Sequence, residues 1–292
     1  MRQAPEIARC RWCKDGKFIF AEGGYFLCET PACAARQLKH ALRASEDSGV
    51  EYLYVPTPAQ VELRECRTKK LLWGGAAGGA KSHGLRWDAY FWCQTIPEYE
   101  SLLMRRSYPE LESTHLLRME RDQVALGAKY DKQKRMLIWP NGSFIKAGHC
   151  ESKSDLTKIL STEYDDVRID EGSTFEGVLT RELSTRARSA KPLVKDRGGA
   201  FVRITSNPGG VGALYLKDFY IDKTPDLAEF PDYNASEYTF IQARISDNPW
   251  LDDTYEGELK QLDADRRRQL LDGDWTVFGS QFFPTWNPGS AA

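Results

Sequence analysis

The stretch Leu71-Leu72-Trp73-Gly74-Gly75-Ala76-Ala77-Gly78-Gly79-Ala80-Lys81-Ser82 is an apolar strand running into a loop of small residues that ends in Lys-Ser. A loop almost without side chains lets backbone N–H groups close around phosphate oxygens. A lysine at its end can reach the outer phosphates, and the serine hydroxyl after it can ligate Mg2+. Counted from Gly75, the stretch meets the phosphate-loop pattern G-x-x-x-x-G-K-[ST] except that Ala80 stands where the last glycine is expected. Gly75, Ala76, Ala77, Gly78, Gly79, Ala80, Lys81 and Ser82 are therefore the candidate ATP-binding cradle, with Ser82 a candidate Mg2+ ligand. The alternative reading of the same letters is a glycine-rich turn ahead of an ordinary helix.

Hydrolysing a triphosphate needs a second site: one carboxylate near Mg2+ and another that orients the attacking water, both at the end of a strand beside the loop. Val167-Arg168-Ile169-Asp170-Glu171 offers that pair, Asp170 for the metal and Glu171 as general base. Arg168 and the preceding Asp165-Asp166 interrupt what should be an almost continuous apolar strand, and Asp-Glu pairs are also common on surfaces. A third element, Arg203-Ile204-Thr205-Ser206-Asn207-Pro208-Gly209-Gly210, ends a strand in small polar side chains. Asn207 there can sense the γ-phosphate, although Asn-Pro-Gly-Gly is also an ordinary turn.

Strands expected over 71–73, 101–106, 167–169, 201–205 and 238–242 alternate with amphipathic stretches, the first being a helix over 82–93. The alternation predicts an α/β fold with a mostly parallel central sheet and helices on both faces, its ligand at the carboxyl ends of the strands. Residues 135–146 read as a hairpin around Asn141-Gly142. Residues 52–60 read as an extended segment broken by Pro56 and Pro58, and 252–272 as one helix ended by Gly273. Four regions follow: a cysteine module over 1–48, an ATPase core over 49–225, a helical lid over 226–280 and a linker over 281–292.

The 292 residues carry 41% hydrophobic side chains, enough for a sizeable core, and a formal net charge of -2. That balance excludes a broadly cationic surface, so a nucleic-acid contact has to be local. Residues 181–197, rich in arginine and lysine, are one candidate, and a solvated helix face is the plain alternative. No run of about 18 apolar residues is present to span a membrane, and the start lacks the apolar core of a secretory signal. The expectation is a protein of the cytoplasm with no membrane partner.

Of seven cysteines, Cys10, Cys13, Cys28 and Cys33 form C-x2-C-x14-C-x4-C, a spacing suited to a structural Zn2+, with free or buried thiols as the alternative. The aromatic and glycine-rich insert over 18–26 reads as a short hairpin between the two pairs. Cys66, Cys93 and Cys150 sit among apolar neighbours and read as core.

Taken in order, these motifs resemble the ATPase domain of the large terminase subunit of tailed bacteriophages, over roughly 57–283. Thr57-Pro58-Ala59-Gln60 is similar to that family's upstream glutamine motif, which implies a contact of Gln60 with adenine. The stretch from Leu103-Met104-Arg105-Arg106 to Leu111 resembles its arginine-rich strand end. Asp170 to Phe175 with Arg186-Ala187-Arg188 resembles its catalytic strand and following helix, and Thr205 to Gly210 its coupling motif. Ser246-Asp247-Asn248-Pro249 and Leu270-Leu271-Asp272-Gly273-Asp274-Trp275 resemble its lid.

The resemblance implies an ASCE-type P-loop NTPase that uses ATP and Mg2+ to move double-stranded DNA. It also implies a homo-oligomeric ring on a portal protein, a small terminase subunit as partner, and a place in the host cytoplasm. Ala77 stands where the family often has an arginine, which leaves Arg105, Arg106, Arg186 and Arg188 as candidates for the transition-state charge, in cis or from a neighbouring subunit. DNA cleavage is not expected of these residues, because the family's nuclease domain follows the ATPase. The rival readings are another ASCE motor such as a helicase, or a non-hydrolytic zinc-containing scaffold for DNA or a protein partner with a degenerate nucleotide pocket.

Overall fold

The computed structural model describes residues 18–21, 25–28, 56–159, 161–248, 250–252 and 254–277. β1 (Phe18–Ala21) and β2 (Tyr25–Cys28) pair antiparallel with Phe18 opposite Cys28, the hairpin expected of the insert. Cys10, Cys13 and Cys33 lie outside the described residues, as do most of 1–48 and all of 281–292.

The main sheet has eight strands: β3 (Lys70–Gly75), β4 (Glu100–Arg105), β5 (Lys129–Asp131), β6 (Met136–Ile138), β7 (Phe144–His149), β8 (Asp166–Asp170), β9 (Phe201–Ser206) and β10 (Tyr238–Ala243). Their order is β10-β3-β9-β8-β4-β7-β6-β5. The first six run parallel, and β6 and β5 add an antiparallel edge. The expected hairpin is the β6–β7 pair. β10 belongs to this sheet, so the region expected as a lid over 226–280 supplies an edge strand of the core.

Side chains alternate across the sheet, and the alternation builds apolar clusters on both of its faces. Leu102, Met104, Val167, Ile169 and Ile204 pack with Phe175, Leu179, Leu183 and Leu216 on one face. Leu103, Ile145 and Ala147 pack with Leu85, Tyr90 and Trp92 on the other. Helices therefore cover both faces, as the strand–helix alternation predicts.

Two local expectations are corrected. Residues 58–60 are not extended: helix α1 (Pro58–Glu65) begins there, with Thr57 as N-cap, proline in the first turn and Gln60 closing a reciprocal capping box. Thr-Pro-x-Gln is a helix-start signal that outweighs the reading of proline as a breaker. The single helix over 252–272 is three pieces, Tyr255–Lys260, Ala264–Arg267 and a π-helical Arg268–Asp272. The chain breaks at Asp263, whose carboxylate accepts from the Arg266 N–H and starts a new helix. Gly273 ends the last piece at φ 67°, as expected.

Candidate nucleotide site

β3 delivers the small-residue loop to the carboxyl edge of the sheet, and helix α2 (Lys81–Thr95) leaves from it. Ala80 sits at φ 57° and ψ 30° and offers no side-chain cap. It therefore occupies the left-handed turn that glycine usually takes, and the first N–H groups of α2 are left for an anion. β9 lies between β3 and β8, and β8 ends at Asp170. This order brings three distant stretches to one point.

The Lys81 ammonium is buried, donating to the Ala76 carbonyl at 2.5 Å and to Asn207 Oδ1 at 2.7 Å. The Asn207 amide turns the other way, its Nδ2 to Glu171 Oε1 at 3.4 Å and its backbone N–H to Glu171 Oε2 at 3.3 Å. Asn207 thus bridges lysine and general-base candidate. The Ser82 hydroxyl donates to Asp170 Oδ1 at 3.0 Å, and the Thr205 hydroxyl to the same oxygen at 2.6 Å. The loop lysine and serine, the carboxylate pair and the polar strand end converge in one hydrogen-bonded cluster.

Burial pushes the Lys81 ammonium down to about 8, against the pull of Glu171, Asp170 and Asp247. Burial also pushes the Glu171 carboxyl up, helped by the neighbouring Asp170 charge. Asp170 goes the other way: burial acts to raise it, but the hydrogen bond from His115, with Arg105 and Thr205, holds it well below the usual carboxylate range. Two adjacent carboxyls are thereby driven apart, one firmly ionised and one a better proton acceptor.

Arg105 ends β4 with its Nε 3.3 Å from Asp170 Oδ2, inside the site. Arg106 points away and donates to the Cys150 carbonyl at 2.7 Å. Arg186 bonds the Thr185 hydroxyl, and Arg188 pairs with Glu163 at 3.2 Å. The backbone of Arg186 and Arg188 is hydrogen-bonded to Tyr164, which precedes β8, so both arginines lie at the end of that strand opposite Asp170. Gln60 is buried and already engaged, its Oε1 accepting from Thr57 N–H at 2.9 Å and its Nε2 donating to the Ala80 carbonyl at 3.4 Å. Its visible part is to brace the turn into α2. Within 181–197, Arg197 stacks on Trp92, Tyr99 and Phe201, and Lys191 pairs with Asp165 at 2.8 Å, while Arg188 and Lys195 are exposed.

The charged residues of β8 have partners. Asp166, Arg168 and Asp170 share one face, and Val167 and Ile169 the other. Arg168 is wholly buried, paired with Asp166 at 2.5 Å and with Asp88 of α2 at 2.7 Å. The sequence reading missed His115, whose Nε2 lies 2.9 Å from Asp170 Oδ2. A lone histidine in an amphipathic helix carries no pattern that could have marked it.

Residues from the region after β10 lie against the loop. The Leu270 carbonyl accepts from Ala77 N–H at 2.7 Å, and the Asn248 side chain donates to the Gly78 carbonyl at 2.7 Å.

Among solved structures, the chain is similar to the large terminase of the thermophilic bacteriophage D6E in complex with ADP, with a TM-score of 0.60 at 14% identity, covering 75% of this chain and 53% of that one. The D6E terminase with ATP-gamma-S gives 0.59 at 13% identity, over 76% and 53%. The large terminase ATPase domain of Thermus phage P74-26 gives 0.54 at 16% identity, over 76% of this chain and 94% of that one. The fold is that of a phage large terminase ATPase domain. The match spans about half the length of the D6E structures. No protein-family model and no curated protein matches the sequence.

Proposed function

We propose that the chain is the ATP-hydrolysing motor domain of a viral DNA-packaging terminase, coupling hydrolysis to the translocation of double-stranded DNA into a procapsid. The observation that carries this reading is the convergence of Lys81, Ser82, Asp170, Glu171 and Asn207 on the phosphate loop. The D6E structures hold ADP or ATP-gamma-S on the same fold, which supports a nucleotide in this pocket.

The Ser82 hydroxyl and the Asp170 carboxylate bring two hard oxygens together, a donor set that fits Mg2+. When bound, the ion supplies charge neutralisation at the β- and γ-phosphates. Lys81 would hold the outer phosphates, and Glu171 would take the proton of the attacking water. Asn207 touches both and is placed to relay loss of the γ-phosphate into the Pro208-Gly209-Gly210 turn. Arg105 is the arginine of this pocket, while Arg186 and Arg188 reach a triphosphate only if it belongs to a neighbouring subunit.

A homo-oligomeric ring, a portal protein and a small terminase subunit are the partners this reading requires, in the host cytoplasm. No helix among the described residues is long and apolar enough to cross a membrane. No cluster of three or more His, Cys, Asp or Glu suited to a metal occurs among the described residues, and structural Zn2+ on Cys10, Cys13, Cys28 and Cys33 rests on spacing alone. The scaffold reading has less support, because Ala80 adopts the turn that the missing glycine would have supplied.

Phosphate release with and without Mg2+ tests the assignment. Glu171→Gln should bind ATP yet turn it over on the order of 10²-fold more slowly. Wild-type turnover in that variant removes Glu171 from the role of base.

A further inference from the structure

The two oxygens of Asp170 have different company. Oδ1 accepts from the Ser82 and Thr205 hydroxyls at 3.0 and 2.6 Å. Oδ2 faces His115 Nε2 at 2.9 Å and Arg105 Nε at 3.3 Å. His115 is fully buried and sits on the π-helical segment Glu112–Leu116 that follows β4. Its other ring nitrogen, Nδ1, lies 3.5 Å from Arg86 Nη1 of α2. A guanidinium can only donate, so Nδ1 offers its lone pair and the ring proton resides on Nε2, aimed at Asp170. The ring is a directed link from the phosphate-loop helix to the carboxylate. Packing alone would be served by an apolar ring, since a buried imidazole is costly unless both nitrogens are satisfied. In this pocket both are, and π turns inside helices recur at functional sites.

We propose that His115 is a positioning residue for the metal-binding carboxylate: by occupying Asp170 Oδ2 it presents Oδ1, beside Ser82, to the Mg2+ that accompanies ATP. The proposal rests on the nucleotide-binding reading of the pocket. Hydrogen bonds from the outer shell to a metal's ligands typically carry 10–100-fold in metal affinity.

The test reads binding, not turnover. A fluorescent ATP analogue is titrated against the full chain in EDTA and at rising MgCl2, for the wild type, His115→Leu and His115→Gln. The Mg2+ concentration at the midpoint of the metal-dependent gain should rise on the order of 10-fold in His115→Leu. It should return most of the way in His115→Gln, whose amide keeps a donor, and affinity in EDTA should be equal in all three. An unchanged midpoint in His115→Leu overturns the proposal. So does an equal loss of affinity in EDTA and in MgCl2, which is what packing alone produces. If His115→Leu does not fold, the comparison of His115→Gln with the shorter His115→Asn decides by the same midpoints. A wild type that fails to bind the analogue, or binds it without any gain from Mg2+, refutes the pocket reading itself and this proposal with it. That outcome is recognisable because no substitution is needed to produce it.

Discussion

Replacing Arg168 with methionine should cost the fold about 3 kcal/mol at pH 7, at the lower end of the range for breaking a buried ion pair. The guanidinium is 0% exposed. It donates through Nε and Nη2 to Asp166 Oδ2 at 3.0 and 2.5 Å, and through Nη1 to Asp88 Oδ2 at 2.7 Å and the Leu85 carbonyl at 3.0 Å. Methionine leaves two carboxylates inside. Asp166 keeps the hydroxyls of Tyr99 and Ser101, and Asp88 keeps Arg64 at 3.9 Å and the nearby charge of Arg203, which sets the loss near the bottom of the range. In the intact protein burial acts to raise the Asp166 carboxyl, but Arg168 and Arg197, with the hydrogen bonds from Arg168 and Ser101, together outweigh it and hold the group below its ordinary value. That contribution is present above the unfolded value of about 3.9 and lost as the pH falls through the folded one. In the variant the unpaired carboxyls are pushed upward instead, so the gap between the two proteins should shrink as the pH is lowered from 7 toward 5. Urea unfolding followed by tryptophan fluorescence measures the loss, with a common slope m as the check on two-state behaviour. A second variant joins Arg168→Met with Asp166→Asn and Asp88→Leu and should recover most of it, since neutral or apolar replacements of a whole buried ion group are often neutral or better. A loss under about 1 kcal/mol, or a triple variant no more stable than the single one, refutes the pairing of Arg168 with both carboxylates as the reason β8 tolerates its charges.

Ala80→Gly should raise stability by about 0.5 kcal/mol, because it relieves a left-handed alanine while loosening the unfolded chain, and Ala80→Val should lower it by more than about 1 kcal/mol. Thermal melts rank the three, and a wild type above the glycine variant counts against the strain. ATP affinity should fall as the pH rises through about 8, where Lys81 loses its proton in the free protein, and binding at pH 8.5 should take up a proton. Calorimetry in two buffers of different ionisation enthalpy reads that uptake, and an identical heat in both refutes it.

Where a motif's chemistry is local, the sequence displays it. The small-residue loop, the Asp-Glu strand end and the strand closing in Thr205-Ser206-Asn207 are each written in consecutive residues, and their order along the chain is enough to place them at one edge of a parallel sheet. Strand-to-helix alternation gives the layers, because each face of the sheet must be covered. What the sequence hides is pairing across the chain. Arg168 looks like an interruption of β8 until Asp88 is seen beside it, 80 residues away. His115 is invisible because its meaning comes from Asp170 and Arg86, 55 and 29 residues away in sequence. Arg186 and Arg188 match a motif by spacing, yet their backbone pairs with Tyr164 and carries them to the opposite end of the sheet.

The contacts made by the region after β10 add a constraint that phosphate binding alone would not impose. Gly78 has a positive φ of 76°, and a Cβ there would come within 2.8 Å of Leu251 and 3.0 Å of Tyr255. Gly273, also at positive φ, approaches so closely that a Cβ would lie 2.6 Å from the Ala76 backbone nitrogen. Small residues are therefore required from both sides: Gly78 leaves room for Leu251 and Tyr255, and Gly273 lets its turn approach the Ala76 backbone. Because the Leu270 carbonyl holds Ala77 N–H and the Asn248 amide holds the Gly78 carbonyl, a shift of the loop around a triphosphate must either carry those two residues along or break their hydrogen bonds. Each such bond is worth about 1 kcal/mol, so breaking both would cost about 2 kcal/mol.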